Sequence, residues 1–255
     1  MAKYNRGNQP QQNNASGIVL YGKHSVFSAL ENPNRRFNKI LCTKENFAET
    51  KDIAVKNNIN PVIISVVDRK DIEKVAGSES VHQGILAYCK ELENYLIDDI
   101  LTLAEDKERC HILILDQVTD PQNIGAIIRS CVAFDTLALV VQDKNSPRET
   151  GAMVRASAGT IDLLPICRVT NLSRAIEQLK EAGFWIVGMD GGAKQMIDEL
   201  AKGGKTAIVM GSEGKGMRRL VEENCDITVK LPISRNVESL NVSTAAAIAL
   251  YEMNK

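Results

Sequence analysis

The sequence predicts an α/β fold in two parts: a C-terminal unit built on a mainly parallel sheet covered on both faces, preceded by a smaller α/β unit. Three observations carry this. Short apolar runs alternate with helical stretches from Ile18 to the end of the chain. In the second half the runs read as strands buried on both faces, the habit of parallel sheets. Three polar, glycine- or asparagine-containing segments each follow such a run, at the strand ends where α/β proteins build their sites.

Taken in order, residues 1–16 are rich in Asn and Gln with almost nothing apolar, so they bury too little to offset ordering entropy and are expected to be disordered. Residues 17–90 read as helix 24–31, strand 39–42, helix 47–57, strand 62–65, helix 68–76 and strand 85–89. Residues 91–109 form an acidic linker in which Tyr95-Leu96-Ile97 and Ile100-Leu101 predict a short amphipathic helix. The large unit, residues 110–255, has expected strands at 111–116, 137–142, 185–188, 206–210 and 227–231. Its expected helices are 122–134, 149–158, 172–182, 217–223 and 241–253.

Charge is uneven along this order. The chain of 255 residues has a net charge of -1. Residues 1–16 carry +2, residues 17–90 carry 11 basic against 8 acidic side chains, the linker 2 against 7, and the remainder 16 against 17. The basic excess sits toward the N-terminal end, which admits either a polyanion partner or a solvated surface. Six cysteines without a C-x-x-C pair fit buried free thiols in a reducing cytosol. Histidines stand only at 24, 82 and 111, so no metal site is expected. No apolar run approaches a membrane span and no signal segment is visible, which predicts a cytoplasmic protein.

The first polar segment is Asn123-Ile124-Gly125-Ala126-Ile127-Ile128-Arg129. Ile124, Ile127, Ile128 and Cys131 fall at i, i+3, i+4 and i+7, the buried face of a helix. Gly125 lies one turn before Arg129, which would leave room beside the guanidinium for a phosphate or ribose. The plainer alternative is that Arg129 pairs with an acid and Asn123 caps the helix. The second segment, Gly211-Ser212-Glu213-Gly214-Lys215-Gly216-Met217, lacks the G-K-[ST] ending of a P-loop, and no G-x-G-x-x-G opens the first strand and helix. Its glycines would let backbone close on an adenosine, or make a tight turn with Glu213 in water. The third, Ser239-Leu240-Asn241-Val242-Ser243, precedes a helix with Val242, Ala245, Ala246, Ala249 and Leu250 on its inner face. Small residues there would let a partner helix approach, and the segment itself serves equally as a cap.

Together the three segments resemble the SpoU/TrmH family of RNA ribose 2'-O-methyltransferases, of the SPOUT class that uses S-adenosylmethionine. They match its N-x-G-x-x-x-R, G-x-E-G-x-G and S-L-N-V-S elements in order. Tyr21-Gly22-Lys23-His24-Ser25-Val26 and His82-Gln83-Gly84 resemble the substrate-binding extension of the bacterial 23S rRNA guanosine methyltransferase branch. The resemblance implies a C-terminal trefoil knot and a ribosomal-protein-L30-like N-terminal unit. It implies Arg129 as catalytic residue, with Asn123, Glu213, Ser239 and Asn241 arranging the site, and a cofactor cleft lined by Gly211, Leu231, Ile233 and Leu240. It also implies a homodimer built partly on the last helix, acting on RNA. A sulfonium is already an activated electrophile, so this chemistry requires no metal. Ribose methylation of tRNA and a non-catalytic RNA-binding ribosome-assembly factor are the rival readings. A dinucleotide-dependent dehydrogenase is disfavoured by the missing glycine fingerprint.

Overall fold

The computed structural model describes residues 17–77, 80–200, 203–234 and 236–255. The tail expected to be disordered, residues 1–16, lies outside them. The N-terminal unit runs β1 (Ile18–Tyr21), α1 (Lys23–Glu31), β2 (Phe37–Cys42), α2 (Lys44–Lys56), β3 (Ile64–Val66), α3 (Arg69–Ala76) and β4 (Ile85–Cys89). Its sheet has the order β1-β4-β2-β3, with β4 antiparallel to both neighbours and β2 parallel to β3. All six expected elements are present. The strand expected at 62–65 opens as a 3-10 turn, Pro61–Ile63, because Pro61 sets the turn and Asn60 accepts a hydrogen bond from the Val62 N–H. Strand β1 escaped the sequence reading: in four residues only Ile18 and Leu20 turn inward, too short a pattern to register.

The acidic stretch contains α4 (Ile97–Ala104), started by Asp99, which accepts a hydrogen bond of 2.7 Å from the Leu96 N–H. Ile100 and Ala104 are buried in the core of the large unit. That unit continues as β5 (Cys110–Leu115), α5 (Pro121–Ala133), β6 (Ala138–Gln142), α6 (Gly151–Ser157), β7 (Ile166–Val169), α7 (Leu172–Glu181), β8 (Trp185–Met189) and β9 (Gln195–Met196). It ends with β10 (Lys205–Met210), α8 (Arg219–Glu222), β11 (Ile227–Lys230) and α9 (Val242–Asn254). The strand order is β7-β6-β5-β10-β8-β11-β9 and every pairing is parallel. Strand β5 is buried at all positions, as a central strand covered on both faces requires. Strands β7 and β9 were not foreseen. Each is an edge strand of four residues or fewer whose side chains, apart from buried Cys167, are half-buried.

Strand order reverses at β5, with β6 on one side and the late strand β10 on the other. Crevices at the carboxyl ends of strands form at such switch points. Helix α5 covers this sheet with Ile124, Ile127, Ile128 and Cys131, all at 2% exposure or less, each isoleucine contributing roughly 1.5–3 kcal/mol of burial. Gly125 corrects one expectation. A Cβ there would stand 2.4 Å from the Met153 carbonyl oxygen and 2.6 Å from Ala156 Cβ, so α6 fills the space that was assigned to a phosphate or ribose. The glycine lets two helices touch.

Helix α9 brings a second correction. Ala246 and Ala249 are 0% exposed and belong to the chain's own core, where α9 packs against α5. Its small-residue face therefore closes on the same chain, and the side it leaves outside carries Ile248 and Tyr251. One continuous apolar cluster joins Leu20 and Leu30 of the small unit to Leu113, Met153 and Ile161 of the large one. The six cysteines are free thiols, five buried and Cys225 half-buried. Among the described residues no helix is long and apolar enough to cross a membrane.

His111, at the start of β5, is buried, and that burial together with the charge of Arg109 holds its imidazole below the ordinary histidine pKa of 6.5. The unfolded chain then binds a proton that the folded chain refuses, so stability contributed by neutral His111 is lost as pH falls below about 6.5. Urea midpoints measured between pH 7.5 and 5.5 should fall more steeply for the wild type than for His111→Asn. Parallel slopes would remove His111 from the account.

Candidate active site

The glycine segment leaves the end of β10 and doubles back on itself. Ser212 and Gly216 exchange backbone hydrogen bonds of 3.1 and 2.9 Å, and Gly214 and Gly216 take φ of 76° and 66°, the left-handed region open to glycine. A Cβ on Gly211 would sit 2.1 Å from the Gly216 carbonyl carbon, so the turn closes only over glycine. The far root of the loop is pinned by Asp116, which follows β5 and is 0% exposed. One of its oxygens accepts from the Arg218 N–H at 2.8 Å, the other from Arg218 Nε and Nη2, each at 2.8 Å. Asp116 and Arg218 thus fasten the loop across the switch point. Sequence reasoning passed over this pair, although a carboxylate ending a fully apolar strand was a visible signal.

The other two segments converge on the first turn of α9. Asp120 caps α5, accepting from the Gln122 N–H at 3.0 Å with Pro121 in the first turn. This frees Asn123 from the capping task. Its Oδ1 accepts instead from Asn241 Nδ2 at 3.0 Å. Asn241 caps α9 through Oδ1, which accepts from the Ser243 N–H at 2.9 Å and the Ser243 hydroxyl at 2.6 Å. Glu213 supplies the remaining contact, its Oε1 accepting from the Val242 N–H at 3.0 Å. A carboxylate at a helix N-terminus also meets the positive end of the helix dipole. Asn123, Glu213 and Asn241, far apart in sequence, are joined through one helix start.

Beside this junction lies a cleft of about 790 Å³. Gly211, Leu231, Ile233 and Leu240 all line it, with Glu213 and Ser239. Ser239 is exposed. Met189 and Met210, at the ends of β8 and β10, add apolar wall, and Asp190 adds a carboxylate with one oxygen accepting from the Gly192 N–H at 3.1 Å. Neither Met189 nor Asp190 was picked out from the sequence. Apolar walls, bare glycine backbone and the carboxylates of Asp190, Glu213 and Glu238 at the lining together suit an adenosine bearing hydroxyl and amine groups. Arg129 stands apart. It is exposed on α5, does not line the cleft, and makes no hydrogen bond or ion pair among the described residues. Among the described residues no group of three or more His, Cys, Asp or Glu side chains could hold a metal ion.

The two N-terminal segments singled out from sequence also meet. Gly22, at φ 89°, donates its N–H to the Ile85 carbonyl, and Gln83 Oε1 accepts from the Lys23 N–H at 3.0 Å to start α1. Asn46 Nδ2 reaches the Gln83 and Gly84 carbonyls at 2.8 and 3.0 Å.

Residues 111–251 match the model of the SpoU rRNA Methylase family. The chain belongs to the SpoU methylase family. Residues 19–95 match the model described as RNA 2'-O ribose methyltransferase substrate binding. Among curated relatives, the 23S rRNA (guanosine-2'-O-)-methyltransferase RlmB of Coxiella burnetii is 37% identical, covering 92% of this chain and 94% of its own. RlmB of Escherichia coli K12 is 34% identical over 92% and 96%. Among solved structures, the AdoMet-bound rRNA methyltransferase of Sinorhizobium meliloti superposes with a TM-score of 0.79 at 20% identity, covering 93% of this chain and 87% of that one. The SpoU methyltransferase AviRb of Streptomyces viridochromogenes with AdoMet gives 0.76 at 21% identity, over 97% and 93%. These likenesses carry the SpoU fold across both units.

The Asp116 clamp makes a local prediction for this SpoU chain. Asp116→Ala removes two hydrogen bonds to a guanidinium that keeps partial access to water and one to the Arg218 backbone N–H, a loss of about 1.5–3 kcal/mol. Urea denaturation should show that loss, and amide exchange in residues 211–218 should quicken. Unchanged exchange there would mean the loop is held by something else.

Proposed function

We propose that this SpoU-family chain is an S-adenosyl-L-methionine-dependent RNA 2'-O-ribose methyltransferase that acts on a guanosine of 23S rRNA. The observation that carries the reading is the convergence of Asn123, Glu213 and Asn241 on one helix start beside a cleft lined by Gly211, Leu231, Ile233 and Leu240. The match of both units to RlmB relatives supports the guanosine and the ribosomal RNA. A non-catalytic assembly factor would have no use for that junction intact, and a tRNA substrate has no observation of its own in its favour.

Bound S-adenosylmethionine supplies a methyl group on a sulfonium. The chain does the rest by holding and screening. Leu231, Ile233 and Leu240 take the apolar faces of the cofactor, while the glycine loop presents backbone donors and acceptors. Asn241 and Glu213 fix the start of α9, and Ser239, on the cleft, orients the ribose hydroxyl. Arg129 carries the role of binding phosphate or steadying the charge that develops on the 2' oxygen, since a guanidinium stays protonated and donates hydrogen bonds in fixed directions. Orientation of this kind supplies much of the rate in methyl transfer.

Arg129 lies away from its own chain's cleft, and this supports a homodimer in which each site takes its arginine from the other copy. Ile248 and Tyr251, exposed on α9 beside α5, offer apolar surface for such a contact. The trefoil threading of the C-terminal segment belongs to the same reading, supported by the return of β11 past β8 and of α9 onto α5.

Methyl transfer from radiolabelled donor to unmodified 23S rRNA tests the proposal. Arg129→Ala should lower turnover more than tenfold, about 1.4 kcal/mol of transition-state stabilisation, with cofactor affinity kept. Gly211→Ala should reverse that pattern by abolishing cofactor binding in titration calorimetry. A variant at 129 with near-wild-type turnover would reject the catalytic assignment. Sedimentation should give a dimer, and an active monomer would reject the shared site.

A further inference from the structure

Arg35, between α1 and β2, carries its charge into a fully buried place. Its side chain and that of Asp162 are 0% exposed, and Glu149 is 9%. Nε donates to Asp162 Oδ1 at 2.8 Å, while Nη1 and Nη2 fork onto Glu149 at 3.1 and 2.8 Å. Nη1 also donates to the Lys90 carbonyl at 3.1 Å. Burial acts to lower the pKa of this arginine, but the hydrogen bonds and charges of Asp162 and Glu149 more than reverse it, so the guanidinium stays charged. None of these groups enters the methyl transfer proposed above.

Their placement is informative. Glu149 stands just before α6, and Asp162 ends the 3-10 turn Thr160–Asp162 that follows it. One guanidinium from the small unit therefore grips both flanks of α6. Other contacts run along the same seam. Glu149 Oε2 accepts from the Leu92 N–H at 3.0 Å, Asn32 Nδ2 donates to Asp162 Oδ1 at 3.0 Å, and Arg155 of α6 hydrogen-bonds the Tyr21 hydroxyl and covers its ring at 5.2 Å. A Cβ on Gly159 would come within 2.7 Å of Ser28 Oγ. The opposite side of α6 lies against Gly125 of α5, the helix that carries Asn123 and Arg129. Helix α6 is a wedge with the small unit on one side and the arginine-bearing helix on the other.

Burying one cation between two carboxylates is a poor way to gain stability, since an apolar set of the same shape often does as well or better. What a forked, directional contact adds is a fixed geometry. We propose that Arg35 is a positioning residue for methyl transfer: by clamping both flanks of α6 it fixes the register between the RNA-binding unit and Arg129. The proposal rests on the methyltransferase reading. RNA held by the small unit then meets the reacting groups in one orientation, whereas a loosely tethered unit would lower the effective concentration of the target ribose.

The test uses full-length protein in three forms: wild type, Arg35→Lys, and a neutral set combining Arg35→Met, Glu149→Gln and Asp162→Asn, which leaves no unpaired buried charge. Spin labels on Lys51→Cys in α2 and Arg174→Cys in α7, with Cys225→Ser in every form and labelled chains diluted in excess unlabelled protein so that only distances within one chain are read, report the distance between the units by pulsed electron spin resonance. The wild type should give one narrow distribution and the neutral set a broad one. On unmodified 23S rRNA, kcat should fall at least tenfold in the neutral set while the Kd for S-adenosylmethionine stays within twofold. Arg35→Lys, which keeps the charge and loses the fork, should fall between. A narrow distribution in the neutral set, or a broad one with kcat within twofold of wild type, overturns the proposal. A broad distribution in the wild type also overturns it. A wild type that transfers no methyl group to any RNA rejects the enzymatic reading instead, and the distance measurement then still decides whether the clamp exists.

Discussion

The first turn of α9 is the constraint on which the site depends. A helix start exposes N–H groups with no partner inside the helix, and here they are met by Asn241 from the helix's own cap and by Glu213 from the glycine loop. Asn241 then spends its amide on Asn123 of α5. A local requirement, satisfying the ends of one helix, thereby ties three segments of the chain into a single unit. Cleft walls and junction share those segments. The buried Asp116 with Arg218 performs the same service at the other root of the loop.

A second level of order lies in how helices are brought together. Gly125 and Ala246 are small where α5 meets α6 and α9 packs into the core, and backbones approach closely because no side chain intervenes. Close approach transmits position well, since packed helices do not slide by fractions of an ångström without losing contact. The charged seam around Arg35 adds directed contacts between the N-terminal unit and both flanks of α6. Continuity of the apolar core across both units, from Leu20 to Met153, points the same way.

Much of this was legible in the sequence, for identifiable reasons. Runs such as Cys110–Leu115 and the i, i+3, i+4, i+7 spacing of Ile124 to Cys131 announce their elements because burial on a sheet imposes them. The cleft residues Gly211, Leu231, Ile233 and Leu240 came from family resemblance and do lie together. What the sequence concealed depends on tertiary partners. It could not show that the room beside Gly125 belongs to α6, that Ala249 faces its own core, or that Arg35 reaches Glu149 and Asp162. Short strands such as β7 and β9 were invisible because pairing, and not their own pattern, makes them strands. Asp190 on the cleft carried no motif at all.

The geometry and the family together describe a SpoU-family methyltransferase with one cleft and, beside it, one junction of three chain segments at a helix start. The most direct measurement is a map of ribose 2'-O-methylation across the ribosomal RNA of cells with and without this protein. The account predicts that a single guanosine of 23S rRNA loses its 2'-O-methyl group in the absence of the protein and regains it on re-expression of the wild type. Unchanged 23S rRNA, with the missing methyl group appearing in a tRNA or nowhere, would contradict it.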